Sequence, residues 1–234
     1  MSIVFLPGFL CDERVWHHQV KALSREMNTE VLDLRHCLDL EGMIQKVVNA
    51  SWSQFHLVGF SMGGYVAQVF ATKHPERLQS LSIIASSGSK LSETDLKGRQ
   101  RMESILKNAK YRGISPKEMA RYIHPKHLEN REITDLIVAM SAENTSEMYL
   151  NQMRATLHRH EHFAELEALD FPILIVGAKD DRVVTPEEIQ SLVKGIPRAE
   201  HHMIAECGHY IPLEKPVELT GLLHDFLTRN QKSG

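Results

Sequence analysis

Gly59-Phe60-Ser61-Met62-Gly63 places a serine between glycines at the point where an apolar strand gives way to a helix. The preceding residues, Phe55-His56-Leu57-Val58, are typical of a buried strand, and residues 64–71 have the apolar spacing of a helix. The chain must therefore turn sharply at Ser61, with strained backbone angles that push the hydroxyl outward. The helix start also directs unpaired N–H groups and the positive end of a dipole toward negative charge beside the serine. This arrangement favours acyl transfer.

Two further polar groups follow late apolar strands. Pro172-Ile173-Leu174-Ile175-Val176-Gly177 predicts a strand, and Asp180 and Asp181 come soon after it. His202-Met203-Ile204-Ala205-Glu206 predicts the last strand, and His209 lies on the loop that follows. The carboxyl ends of parallel strands form the sheet edge where ligands bind. A serine, an acid and a histidine are therefore expected, in this chain order, at one edge of the sheet.

The alternation of elements predicts the fold class. Apolar strands alternate with amphipathic helices up to about residue 86, which indicates an α/β fold with a mostly parallel central sheet and helices on both faces. From residue 87 to 169 no strand is evident, and the sequence predicts several helices. We therefore expect a core of residues 1–86 and 170–234 and a helical insertion of residues 87–169. Only the tail from about Thr228 is expected to fray.

At these positions the chain resembles the α/β-hydrolase superfamily, in its small esterase-like branch with a helical lid. The resemblance extends over nearly the whole chain. Its matching pieces are Leu6-Pro7-Gly8-Phe9, residues 59–64, Gly177-Ala178-Lys179-Asp180, and Gly208-His209 followed by Pro212, Glu214 and Pro216. It implies the α/β-hydrolase fold, with residues 87–169 as a lid over the serine. The chain departs from the family in having Pro7 where histidine is usual and in starting almost at its first central strand.

The resemblance also implies roles for individual residues. Ser61 is similar to the family's nucleophile, His209 to its general base and acid, and Asp180 to the carboxylate that orients the histidine. The backbone N–H groups of Phe9 and Met62 match the oxyanion hole.

The acid has an alternative in the neighbouring residue. Counting forward from Gly177 favours Asp180, whereas counting back from Thr185-Pro186-Glu187 favours Asp181. We take Asp180 as the acid and keep Asp181 as the alternative.

The expected chemistry follows from the residue types. An imidazole with a pKa near ~6.5 can take the serine proton and return it to the leaving group. The carboxylate fixes the imidazole tautomer, and two N–H donors meet the oxyanion. We expect no cofactor and no metal site. Histidines 158, 160 and 162 do not share one helical face, and no clear cysteine or carboxylate set stands at structural-zinc spacing.

The expected lid has two features that bear on ligands. It carries Met102, Met119, Met140, Met148 and Met153, which could line an acyl pocket or belong to the packed core. Residues 89–131 hold eleven lysines and arginines against five acidic residues. This surplus is typical of a solvated face, and the alternative is docking of an acidic acyl-carrier protein.

Composition restricts the class of protein. The 234 residues, of which 42% are hydrophobic, suit a single globular enzyme, and a formal charge of −3 predicts no general affinity for nucleic acid. No apolar run approaches the ~18 residues that cross a membrane, and no signal sequence is evident. Three widely spaced cysteines argue against a disulfide framework. We expect a cytoplasmic protein with reduced thiols.

The predicted function is that of a serine hydrolase cleaving a carboxylic ester, or a thioester, of a small molecule. The alternatives within the same chemistry are an acyl-carrier methyl ester esterase, a hydrolase of carbon–carbon bonds and a lactonase. A non-catalytic receptor on the same fold is the alternative of another class, although a receptor does not require Ser61, His209 and an acid together. A dehalogenase is not expected, because its nucleophile is a carboxylate and this chain has Ser61.

Overall fold

The central sheet has six strands, all parallel, in the computed structural model, which describes residues 1–230. The order across the sheet is β2-β1-β3-β4-β5-β6. The strands are β1 (Ser2–Leu6), β2 (Asn28–Val31), β3 (Phe55–Phe60), β4 (Leu78–Ile84), β5 (Ile173–Ala178) and β6 (Glu200–Ile204). The predicted parallel α/β architecture is thereby confirmed. Because β2 and β3 lie on opposite sides of β1, the loops after β1 and β3 meet at a topological switch point, where such sheets bind ligands.

Helices connect the strands and enclose the sheet. The first half contributes α1 (His17–Leu23), α2 (Leu40–Val48) and α3 (Met62–Lys73). Between β4 and β5 lie α4 (Glu93–Leu106), α5 (Met119–Tyr122), α6 (Arg131–Ala142), α7 (Ser146–Ala155) and α8 (Phe163–Glu167). The chain ends with α9 (Pro186–Gly195), α10 (Ile211–Glu214) and α11 (Pro216–Arg229). The stretch between β4 and β5 thus holds helices and no strand, and its role as a lid stays a prediction.

The two faces of the sheet have separate apolar cores, as the alternation of β1 requires. Val4 and Leu6 pack with residues of α2, α3 and α9. Ile3 and Phe5, on the opposite face, pack with residues of α11 and with residues of α5 and α6. The central strands β3 and β5 are buried along their whole length, which explains why their sequences are apolar without alternation.

Two observations concern the ends and the outside of the fold. Helix α11 runs through Arg229, so the expected fraying from Thr228 is wrong for these two residues, and the rest of that prediction, residues 231–234, lies outside the described residues. Within residues 1–230, no helix combines the length and apolarity that a bilayer crossing requires.

Candidate active site

Ser61 forms the sharp turn between β3 and α3, as predicted. Its backbone has φ 53° and ψ −113°, in the region that favours glycine, and its N–H donates to the Ile84 carbonyl on β4. Gly63 allows this turn, because a β-carbon there would collide with the Leu6 and Pro7 carbonyls of the loop after β1. The elbow therefore packs directly against that loop.

His209 lies on the loop after β6 and faces the serine. Its Nε2 atom is 2.8 Å from Ser61 Oγ. The His209 backbone N–H donates to the Tyr122 carbonyl at the end of α5, at 2.7 Å, and its ring lies 5.1 Å from the Phe60 ring, centroid to centroid. The imidazole is therefore held between the sheet edge and the helical insertion, within reach of the serine proton.

Asp181 completes the chain of hydrogen bonds, so the placement expected for Asp180 is corrected. One Asp181 oxygen, Oδ2, lies 2.8 Å from His209 Nδ1. The other oxygen accepts the N–H groups of Val183 and Val184 at 2.7 and 3.0 Å, which fixes the carboxylate in a tight turn. Asp180 instead turns outward: its side chain is 46% exposed, whereas that of Asp181 is 1% exposed.

The physical reason for this difference is the length of the loop after β5. The Asp180 backbone N–H donates to the Cys207 carbonyl, which continues the pairing of the chain with the loop after β6. The chain thus stays paired through Asp180, one residue further than the count from Gly177 assumes. The next side chain, Asp181, then faces the histidine. Counting back from Thr185, which caps α9, anticipates this placement.

Glu214 is a site residue that the sequence places in the family motif without assigning it a role. Its buried carboxylate accepts three backbone N–H groups, from His124, Gly208 and Tyr210, at 2.8 to 3.0 Å. Two of these N–H groups flank His209, and the third belongs to the insertion after α5. Burial raises the pKa of the Glu214 carboxyl above its usual range, against the lowering effect of the three N–H donors. Glu214 thus holds the histidine loop in place.

The two N–H groups expected to bind an oxyanion come from the loop after β1 and from the start of α3. Phe9 follows β1, and Met62 is the first residue of α3. Neither backbone N–H donates a hydrogen bond within the 230 described residues. Both therefore remain available to a ligand atom beside Ser61.

A small apolar cavity of about 70 Å³ opens at Ser61 and His209. The insertion contributes Ile114 and Tyr122 to its wall. The other lining residues are Phe9, Leu10, Phe60, Val183 and Tyr210. None of the five methionines of the insertion lines it, and Met119, Met140 and Met153 are buried in the core. The core interpretation is therefore confirmed for these three methionines.

Other candidate groups do not join the site. Within the part of the chain that the structure describes, no cluster of three or more His, Cys, Asp or Glu side chains could hold a metal ion, so histidines 158, 160 and 162 do not form one. Cys207 is fully buried, and burial raises the pKa of its thiol well above its usual range. It therefore lacks the exposed thiolate of a nucleophile.

The basic residues of the insertion differ in exposure: some are bound within the fold and others face solvent. Arg99 is partly buried and donates to the Met153 and Thr156 carbonyls, so it serves the packing of α4 on α7. Arg101 is exposed on the same helix, and Lys107, directly after it, is exposed as well. Ile105, an exposed apolar residue with 46% of its surface accessible, lies between them in sequence.

Comparisons with known proteins bear on the family and the fold. The family model for the alpha/beta hydrolase fold matches residues 2–216. Monoacylglycerol lipase ABHD6 from Bos taurus is 27% identical, over 97% of this chain and 75% of that protein. A thermophilic esterase from Thermogutta terrifontis has a TM-score of 0.86 at 23% identity, over 98% of this chain and 90% of that one. An enol-lactonase from Burkholderia xenovorans has a TM-score of 0.82 at 19% identity, over 97% and 91% of the two chains.

Proposed function

The chain belongs to the α/β-hydrolase fold family, and from this premise we propose that it is a serine hydrolase that cleaves a carboxylic ester, or a thioester, through an acyl-enzyme on Ser61. One observation carries the proposal: two hydrogen bonds of 2.8 Å link Ser61, His209 and Asp181 in a continuous chain beside a cavity. The similarity to a monoacylglycerol lipase supports an ester as the substrate.

Acylation begins with proton transfer within this chain of hydrogen bonds. His209 Nε2 takes the hydroxyl proton as Ser61 Oγ attacks the ester carbonyl carbon. The negative charge that develops on the carbonyl oxygen meets the N–H groups of Phe9 and Met62. His209 then gives its proton to the leaving alcohol or thiol, and the acyl group remains on Ser61.

Deacylation repeats these transfers with water. His209 removes a proton from water as the water oxygen attacks the acyl carbon, and returns that proton to Ser61 Oγ as the acid leaves. Throughout, the Asp181 carboxylate accepts a hydrogen bond from the Nδ1–H of His209, which keeps Nε2 available as the base and stabilises the imidazolium. The net reaction adds one water across the ester bond.

The cavity indicates the size of the acyl group. At about 70 Å³, with a mainly apolar wall, it accepts a short acyl chain. Its wall includes two residues of the insertion, which supports the interpretation of residues 87–169 as a lid that selects substrates.

The other activities on this fold use the same groups. A lactone is an internal ester, and the likeness to an enol-lactonase concerns the fold alone. Hydrolysis of a carbon–carbon bond or of an acyl-carrier methyl ester uses the same groups and stays an alternative. A non-catalytic receptor has no requirement for the hydrogen bonds among Ser61, His209 and Asp181, and their presence supports an enzyme.

We also propose an acidic acyl-carrier protein as a partner for the basic lid surface. Arg101 and Ile105 are exposed one helical turn apart on α4, and Lys107 is exposed directly after the helix, which supports a docking site of mixed charge and apolar character. Arg101→Glu with Lys107→Glu should weaken carrier binding in a salt-dependent manner and leave small-ester turnover unchanged. Lys21→Glu, an exposed change on α1, is the control, and equal carrier binding by all three proteins would contradict the proposal.

We propose a cytoplasmic location as well, which the free thiols of Cys11, Cys37 and Cys207 support.

The central test is hydrolysis of p-nitrophenyl esters from acetate to octanoate, together with labelling by a fluorophosphonate. The wild type should hydrolyse the short esters and take up one label, and Ser61→Ala should lose both. Ser104→Ala, which changes an exposed serine on α4, is the matched control and should retain both. Turnover and labelling that persist in Ser61→Ala would refute the assignment of the nucleophile.

A further inference from the structure

The residue after Phe9 has an unusual backbone. Leu10 has φ 62°, a left-handed conformation that costs free energy for any residue with a β-carbon. It is the third residue of a four-residue turn that the hydrogen bond from the Cys11 N–H to the Gly8 carbonyl closes at 3.1 Å. Glycine or asparagine normally takes this position when φ is positive. Something outside the turn must therefore stabilise it.

Two buried amide side chains of the insertion supply this stabilisation. The Leu10 N–H donates to Gln152 Oε1 on α7 at 2.9 Å. The Leu10 carbonyl accepts from Asn144 Nδ2, just after α6, at 3.1 Å. Both polar groups of one strained residue are thus bound by side chains that lie more than 130 positions away in sequence.

The two amides also fix each other. Gln152 Nε2 donates to Asn144 Oδ1 at 3.0 Å and to the Met148 carbonyl at 3.1 Å. Asn144 Nδ2 also donates to the Met140 carbonyl at 2.9 Å. Reversing the Gln152 amide would set an NH₂ group against the Leu10 N–H, so the network admits one orientation. At 0% and 3% exposure, neither side chain has water as an alternative partner.

We infer that Gln152 and Asn144 are positioning residues for the oxyanion loop, which is the turn of residues 8–11. They hold this loop in the conformation that binds an oxyanion, so oxyanion binding depends on how the lid packs against the loop. This inference rests on the proposed function, in which the Phe9 N–H, on the same turn, meets the oxyanion. Without these amides, the turn relaxes toward ordinary angles at Leu10, and the Phe9 N–H moves away from Ser61. Because both amides belong to residues 87–169, any displacement of α6 and α7 releases the loop.

The test replaces the Gln152 amide with an apolar side chain of similar length, in two backgrounds. Gln152→Met should lower kcat by roughly 10- to 100-fold on p-nitrophenyl acetate with little change in KM, because an oxyanion donor acts mainly in the transition state. The same change in a Leu10→Gly background should cost less than about threefold, because glycine adopts positive φ without help. Equal losses in both backgrounds would overturn the inference.

Hydrogen exchange at the Leu10 amide gives a readout that does not depend on activity. Gln152→Met should speed exchange of this N–H by at least about tenfold, since its acceptor is gone. Gln19→Met is the matched control: Gln19 is equally buried but donates to the Pro212 and Pro216 carbonyls, so exchange at Leu10 should stay unchanged. Unaltered exchange in Gln152→Met would overturn the inference. An inactive wild type that still shows accelerated exchange in the variant would refute the proposed function alone.

Discussion

The Asp181 carboxylate lies 2.8 Å from His209 Nδ1, and both side chains are almost completely buried. The adjacent Asp180 carboxylate is half exposed and lies 3.9 Å from His124 Nε2. Two neighbouring aspartates thus have different environments, because only one of them faces the histidine. Only Asp181 can therefore set the tautomer of His209.

The two aspartates should differ sharply when each is replaced by asparagine. Asp181→Asn should lower kcat by about 10⁴-fold, because an amide can donate to Nδ1 and so stabilises the wrong tautomer. Asp180→Asn should stay within about twofold of the wild type, since Asp180 is exposed and the partner of His209 Nδ1 is Asp181. The measurement is kcat for p-nitrophenyl acetate at pH 8. Similar losses in the two variants would show that the carboxylate beside His209 has no special role.

Much of this site could be predicted from local sequence. The serine turn, the strand ends and the histidine loop are each specified by residues close in sequence, such as Gly59 and Gly63 around Ser61. The choice between Asp180 and Asp181 could not be settled in this way. It depends on which backbone pairing the loop after β5 continues, and the Asp180 N–H bonds to the distant Cys207.

The hydrogen bonds around Leu10 could not be predicted from the sequence, for a similar reason. Nothing near Leu10 indicates a positive φ, because leucine does not favour it. Gln152 lies on a helix where a polar residue is ordinary, and its burial follows only from the packing of the insertion. Tertiary contacts therefore determine which polar residues support the site.

Gly63 should be irreplaceable even by alanine. A β-carbon at this position would lie 2.7 Å from the Leu6 carbonyl carbon, and backbone atoms there cannot rotate away. Gly63→Ala should lower the free energy of unfolding by about 3 kcal/mol, the upper end for overpacking, and abolish ester hydrolysis. Urea unfolding followed by circular dichroism checks the stability.

Gly98 supplies the matched control for this change. It lies inside α4 with open space around its α-carbon. Gly98→Ala should raise the free energy of unfolding by up to about 1 kcal/mol, because alanine favours a helix. A Gly63→Ala protein as stable as the wild type would contradict the described packing of the elbow against the loop after β1.

The Ile114 side chain should limit the length of the acyl chain. It lies in the wall of the cavity beside Ser61 and comes from the insertion. Ile114→Ala should raise kcat/KM for hexanoate relative to acetate by about tenfold or more, since each methylene accommodated in an apolar pocket contributes about 1–3 kcal/mol. The measurement is a kcat/KM series over p-nitrophenyl esters. Ile133→Ala, a buried change in α6 away from the cavity, should leave the ratio unaltered, and an equal shift in both variants would exclude a pocket effect.

His56 should make the fold sensitive to acid. It is completely buried on β3, with Nδ1 2.7 Å from Ser80 Oγ, and burial lowers its pKa from 6.5 to about 4. Between these two values the unfolded chain binds a proton that the folded chain does not, so the free energy of unfolding falls as the pH falls. The free energy of unfolding should fall by about 3 kcal/mol from pH 7.5 to pH 4, from ~1.4 kcal/mol per pKa unit.

Urea unfolding across this range should show a shallower pH dependence for His56→Gln, whatever its stability at pH 7.5. His36→Gln, at a histidine whose side chain is 66% exposed, should retain the wild-type dependence, and a wild-type slope in His56→Gln would exclude His56 as the source.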